Sequence, residues 1–169
     1  MKRSALALSL ALLPVAGFAQ DTTLPVAVID VPPAAFVKQA ASSNMFEIQS
    51  SEMAQEKATS EDLKTFAADM IADHTKAGED MHAAAGDTPV PEELSPKHTA
   101  MLALLTEAEG AEFDMLYKEM QAVGHAEAVT LFTTFAASGQ GTDLQKFAET
   151  TLPVLKEHKT HIDHLVAMP

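Results

Sequence analysis

Five ionisable side chains stand where they could do more than solvate a surface: Glu47, His74, Asp114, His125 and His158. Imidazole nitrogen with carboxylate oxygen suits late first-row cations, so the chemistry they suggest is one bound transition metal such as zinc, copper or iron. Glu47, His74 and His158 interrupt apolar rows at helical spacing. His125 flanks such a row beside Val129, Phe132 and Ala136, and Asp114 lies one turn before Tyr117 and Lys118. An ionisable group that faces a core must be paired, neutralised or bound to a metal. The same five residues could instead form a buried hydrogen-bond network that sets helix register, the reading the residues alone favour while leaving the metal site open. His158, His161 and His164 form a further run, but it winds partly around the surface and reads as a solvated cluster. Among the nine methionines, Met70, Met81 and Met120 sit at stripe spacing, which reads as core filling.

The elements that must position these groups are all helical. Pro33 suits a first helical turn, and Phe36, Val37, Ala40, Glu47 and Ala54 then recur at helical spacing, predicting a helix over about 34–57. Thr59 or Ser60 caps a second helix, Glu61 and Asp62 fill its first turn, and Leu63, Phe66, Ala67, Met70, His74, Ala77 and Met81 carry its stripe to about Ala85. Gly86, Pro89 and Pro91 stop it. Ser95-Pro96 opens a short helix over about 96–106 inside a long connection. A third long helix over about 109–138 presents Phe113, Leu116, Tyr117, Met120, Val123, Ala128, Leu131, Phe132 and Phe135. Thr142-Asp143 opens the fourth, with Leu144, Phe147, Thr151, Leu155, His158, Ile162 and Leu165 on its stripe and Pro153 expected to kink it.

No segment sustains strand alternation, and burying four apolar stripes against one another is the economical solution. The expected fold is therefore an all-α four-helix bundle over 33–168 with a short extra helix in the connection between the second and third long helices. Asp62-Leu63-Lys64-Thr65-Phe66-Ala67 is echoed by Asp143-Leu144-Gln145-Lys146-Phe147-Ala148, as two duplicated helical hairpins would leave it. In a simple up-down bundle the rise of about 1.5 Å per residue puts His74, His125 and His158 roughly 22 to 27 Å from the turn end and Glu47 at about 16 Å. If the 86–108 connection instead runs the length of the bundle, the same residues fall in its middle third less tightly. The sequence leaves that topology open.

The N-terminus carries an address. Lys2 and Arg3, an apolar run from Ala5 to Ala16, and Gly17-Phe18-Ala19 follow the order of a secretory signal peptide cleaved after Ala19, which implies a periplasmic protein. Residues 20–32, polar or proline-containing, read as a flexible leader. No stretch approaches the roughly 20 apolar residues of a membrane-spanning helix. Without Lys2 and Arg3, nine basic residues face 24 acidic ones, a net charge of −15 with neutral histidines. Such a surface repels nucleic acid and anionic lipid; cations, a basic envelope protein or a second copy are the partners it admits. The absence of cysteine excludes disulfides, thiol chemistry and a lipoprotein anchor. There is no Gly-x-Ser-x-Gly elbow and no glycine-rich phosphate loop, so nucleophilic catalysis and nucleotide chemistry have little support.

Asp73-His74 after Phe66-Ala67, Phe113-Asp114 with Tyr117, then His125, and finally Leu152-Pro153-Val154-Leu155 with His158 together resemble the domain of unknown function family 4142. The resemblance spans about residues 34–167. It implies a ferritin-like four-helix bundle with a long connection between the second and third long helices, and it implies no assigned activity. The outer-membrane label often given to that family fits poorly, since barrel strands need alternating segments. Ferritin-like di-metal sites use carboxylates from two helices and a Glu-x-x-His pair from each of the others. Here the one such pair is Glu79 with His82, so a standard di-iron site is not expected, whereas a mononuclear imidazole-rich site is chemically reasonable. Two functions remain: a non-catalytic envelope or stress-related protein, or a metal-binding, redox-active bundle.

Overall fold

The computed structural model describes residues 31–138 and 141–168. The expected signal peptide and most of the expected leader lie outside the described residues. Five helices follow in order: α1 (Pro33–Lys57), α2 (Glu61–Ala85), α3 (Pro96–Glu107), α4 (Gly110–Ala136) and α5 (Asp143–Ala167). The fold is all-α, a bundle of four long helices with short α3 in the connection between α2 and α4.

The helix starts obey local chemistry. Pro at the first turn opens α1 and α3, and the hydroxyls of Ser60, Ser95 and Thr142 accept from the backbone N–H of Leu63, His98 and Gln145. Each such bond satisfies one of the donors that a helix leaves unpaired at its N-terminus. Helix α2 ends at Gly86, whose φ of +56° lies in the left-handed region that favours glycine. Pro153 lies inside α5 without interrupting it, and it is exposed, where the carbonyl it leaves without a donor can be hydrated.

Cross-helix pairs establish the direction of every helix. Asn44 meets His74, and Gln55 meets Lys64, so α1 and α2 are antiparallel. Ser51 meets Tyr117 and Ser50 meets Gln121, so α1 and α4 are antiparallel too. Asp73 pairs with His158, and Phe132 with Phe147, which sets α5 against both α2 and α4. Hence α2 and α4 run parallel, and the 86–109 connection travels the length of the bundle. The simple up-down estimate therefore does not hold; the crossing alternative does. Helix α3 braces that crossing. The Ser42 hydroxyl on α1 accepts from Ser95 N–H at 2.8 Å and bonds His98 Nδ1 at 2.7 Å, while the His98 ring stacks on Phe46. At its far end, Lys57 donates to the Leu105 and Thr106 carbonyls, which suits a cation at a helix C-terminus.

Two apolar clusters fill the ends of the bundle. One gathers Ala54, Leu63, Phe66, Met70, Leu105, Phe113, Tyr117 and Ile162; the other gathers Phe36, Val37, Met81, Phe132, Phe135, Phe147 and Leu155. Between them lies a buried polar layer of Glu47, Ser50, Ser51, His74, Gln121, His125 and His158. Among the described residues, no helix is long and apolar enough to cross a membrane.

Candidate metal centre

In the polar layer burial and polarity conflict, and three helices bring a histidine to it. His74 on α2, His125 on α4 and His158 on α5 are 6%, 1% and 7% exposed. Their ring centroids are 5.5 to 5.8 Å apart, and one nitrogen from each ring lies within 4.8 Å of the other two. Phe66 closes the layer on one side, meeting the rings of His125 and His158 edge to face at 6.4 and 6.3 Å.

Each ring has one nitrogen occupied and one free. His74 Nδ1 bonds Asn44 Oδ1 at 2.9 Å, His125 Nδ1 bonds the Gln121 carbonyl at 2.8 Å, and His158 Nε2 bonds Asp73 Oδ2 at 2.9 Å. All three partners are acceptors, so each occupied nitrogen is the protonated one and donates. The other three nitrogens, Nε2 of His74, Nε2 of His125 and Nδ1 of His158, are buried without a partner. In the neutral tautomers so defined, each carries a lone pair. A metal-binding histidine typically has this arrangement, with an outer acceptor orienting the ring. The residues present therefore fit a cation, and they fit a neutral polar cluster poorly, since three acceptors at one centre cannot satisfy one another.

The electrostatics of His74 and His125 agree with neutral rings. Burial, then the His125 and His158 imidazoles, hold His74 well below its ordinary range. Burial likewise lowers His125 to about 4, outweighing the favourable Gln121 carbonyl, with His158 and Lys159 pushing further down. Imidazoles that resist protonation remain available as ligands.

Glu47 belongs to the same layer but not to the three-histidine group. Its carboxyl packs against α4 at Gly124, where an added Cβ would come within 2.8 Å of Oε1. Burial pushes its carboxyl up to about 8, against the smaller opposing effects of Gln121 and Lys97. Glu47 Oε2 and Gln121 Oε1 are both buried without a partner, and a proton on Glu47 adds a donor to a layer short of them. Ser50 accepts from Gln121 Nε2 at 3.0 Å, and Ser51 bonds the Tyr117 hydroxyl at 2.8 Å, which extends the network along α1 and α4.

Asp114 is not brought to this layer. It sits at the start of α4, beside the turn between α1 and α2, where its carboxylate accepts from Thr59 N–H at 3.0 Å and from the Thr59 hydroxyl. The spacing that suggested it as a ligand was shared with a capping role: near a helix start, an aspartate can tie down a neighbouring turn's backbone. Four contributors escaped the sequence reading of the site. Asn44 and Gln121 look like ordinary polar helix residues, and Asp73 stands out only as the neighbour of His74. Gly124 did leave a signal, because a mid-helix glycine beside a core histidine needs a reason when alanine would favour the helix by about 1 kcal/mol.

A family model described as a domain of unknown function (DUF4142) matches residues 19–165. The chain belongs to that family. No curated protein sequence matches this DUF4142 chain. Among solved structures, "CopM in the Cu(II)-bound form" is similar, with a TM-score of 0.66 at 19% sequence identity, covering 79% of this chain and 95% of that one. At that identity the likeness establishes the helical-bundle fold shared by the two proteins.

Proposed function

We propose that this DUF4142 protein binds a single transition-metal ion through His74, His125 and His158. The observation that carries the reading is the trio of buried histidines that offer ring nitrogens within 4.8 Å of one another, each ring with one nitrogen held by an acceptor and the other buried without a partner. Copper is the first ion to test, because the structurally similar CopM is described with Cu(II) bound. Imidazole donors also accommodate zinc and iron. Glu47, buried in the same layer, is a candidate for an added carboxylate ligand, which would require it to give up its proton. Asp114, engaged with Thr59, has no part in this site. The bundle serves as a non-catalytic, exported binding protein, and a redox role follows only if the bound ion cycles. Export is supported by the basic, apolar and small-residue order of residues 1–19.

Metal analysis of untagged protein, with chelator-competed titrations of copper, zinc and iron, tests the site. One equivalent of metal, lost in His74→Ala and His158→Ala and stabilising the wild type against heat, is the expected result. A protein that copurifies without metal, gains no stability from any of the three ions and loses stability on either substitution leaves a purely structural network instead. Intact mass of the exported protein tests the address: Gln20 at the N-terminus is expected, and a mature chain retaining Met1–Ala19 would contradict it.

A further inference from the structure

The three histidines are too deeply buried for a hydrated ion to reach directly, so a binding protein of this design needs a way in. We propose that cations pass between α2 and α5 through a constriction formed by Ala77 and Thr151; the proposal rests on the metal reading above. Two cavities lie back to back at this place. The outer is a surface cleft of about 290 Å³ whose walls include Asp73, Lys76, Asp80, Ala77 and Thr151. The inner, of about 30 Å³, is lined by Ala77 and Thr151 again, together with Asn44 and His74. Ala77 and Thr151, one on each helix, line both, so they stand where the cleft and the inner cavity meet.

The chemistry along this line runs in a consistent order. The mouth carries two carboxylates and one ammonium, and Lys76 is engaged by Asp80, which leaves the Asp73 carboxylate to attract a cation. Asp73 also orients His158, so the same carboxylate touches both the cleft and the ligand set. Inside, the partnerless Nε2 belongs to His74, a residue that lines the inner cavity, and Ser43, Asn44 and Thr151 place polar side chains along an otherwise apolar wall. The inner volume suffices for about one water-sized particle, so an ion must shed most of its hydration shell before it enters. On their other sides His125 bonds the Gln121 carbonyl and meets the Phe66 ring edge to face, and His158 bonds Asp73. Ala77 is small enough to leave the wall thin. Any larger residue there would thicken it.

Stopped-flow mixing with Cu(II), followed by quenching of Tyr117, the single tyrosine in a chain without tryptophan, measures the rate of arrival. Ala77→Leu is expected to slow association by about tenfold or more, because a filled gap in a close-packed interior opens only by rare fluctuation. Dissociation should slow in parallel and leave Kd nearly unchanged, while Ala77→Gly should accelerate both. Should Ala77→Leu fail to fold by circular dichroism, Thr151→Leu applies the same test from the opposite wall. A wild type that binds Cu(II), with rates unaltered in the filled and the opened variants, would overturn the route and leave the site standing. A wild type that binds no Cu(II), zinc or iron at equilibrium would overturn site and route together.

Discussion

His158 Nε2 donates to Asp73 Oδ2 at 2.9 Å, across the α2–α5 interface, and that one bond decides which face of the imidazole looks inward. With Nε2 committed to the carboxylate, Nδ1 is the nitrogen left to the centre shared with His74 and His125. The Asp73 side chain is half exposed, so it can play this part without the desolvation penalty of a fully buried carboxylate.

Replacing Asp73 by alanine should therefore weaken metal binding by about 10- to 100-fold while costing the apo fold less than about 1 kcal/mol. Chelator competition and thermal melts read the two effects separately. Unchanged affinity in Asp73→Ala would mean that the carboxylate does not orient a ligand.

The pH dependence of apo stability has a sign set by the depressed imidazoles. His125 is held near 4 in the folded protein against an ordinary 6.5, and burial with the neighbouring imidazoles also holds His74 well below its ordinary range. Between those values the unfolded chain binds more protons than the folded one. Their contribution is complete above about pH 6.5 and is lost as pH falls through the folded value near 4. Urea unfolding of His125→Ala should show a shallower fall in stability between pH 6.5 and 4 than wild type, and parallel curves would refute the assignment.

Glu47 acts in the opposite direction. Its folded pKa is raised from 4.5 to about 8, so the folded state holds the proton more tightly than the unfolded chain. Stability from this group is complete below pH 4.5 and declines as pH rises through about 8. Glu47→Gln keeps the shape without the titration, so the gap between variant and wild type should shift in favour of the variant from pH 5 to pH 8.5. A gap that stays constant across that interval would show that Glu47 remains ionised in the folded protein.

Gly124 and Glu47 should prove coupled. Gly124→Ala gains about 1 kcal/mol of helix propensity but drives a methyl into Glu47 Oε1, where overpacking costs about 1–3 kcal/mol. The single variant is expected to be destabilised. In a Glu47→Ala background, with the carboxyl gone, the same change should stabilise. Additive effects across this double-mutant cycle would deny the contact.

The helices and the histidines were legible in the chain itself. Capping hydroxyls, prolines at first turns and apolar residues at helical spacing are local signals, and they placed α1 to α5 within a residue or two of their ends. The same periodicity put His74, His125 and His158 among core residues, because a side chain's face on a helix follows from its position in the repeat. What local signals do not encode is which end of one helix meets which end of another. Only the tertiary structure decided that the 86–109 connection runs the full length of the bundle and sets α2 parallel to α4. Only it decided that Asp114 ties down Thr59 while Asn44, Asp73 and the Gln121 carbonyl take the outer nitrogens. Those pairings depend on side chains tens of residues apart, selected by how four apolar stripes pack at once, and such a choice leaves no period in the sequence.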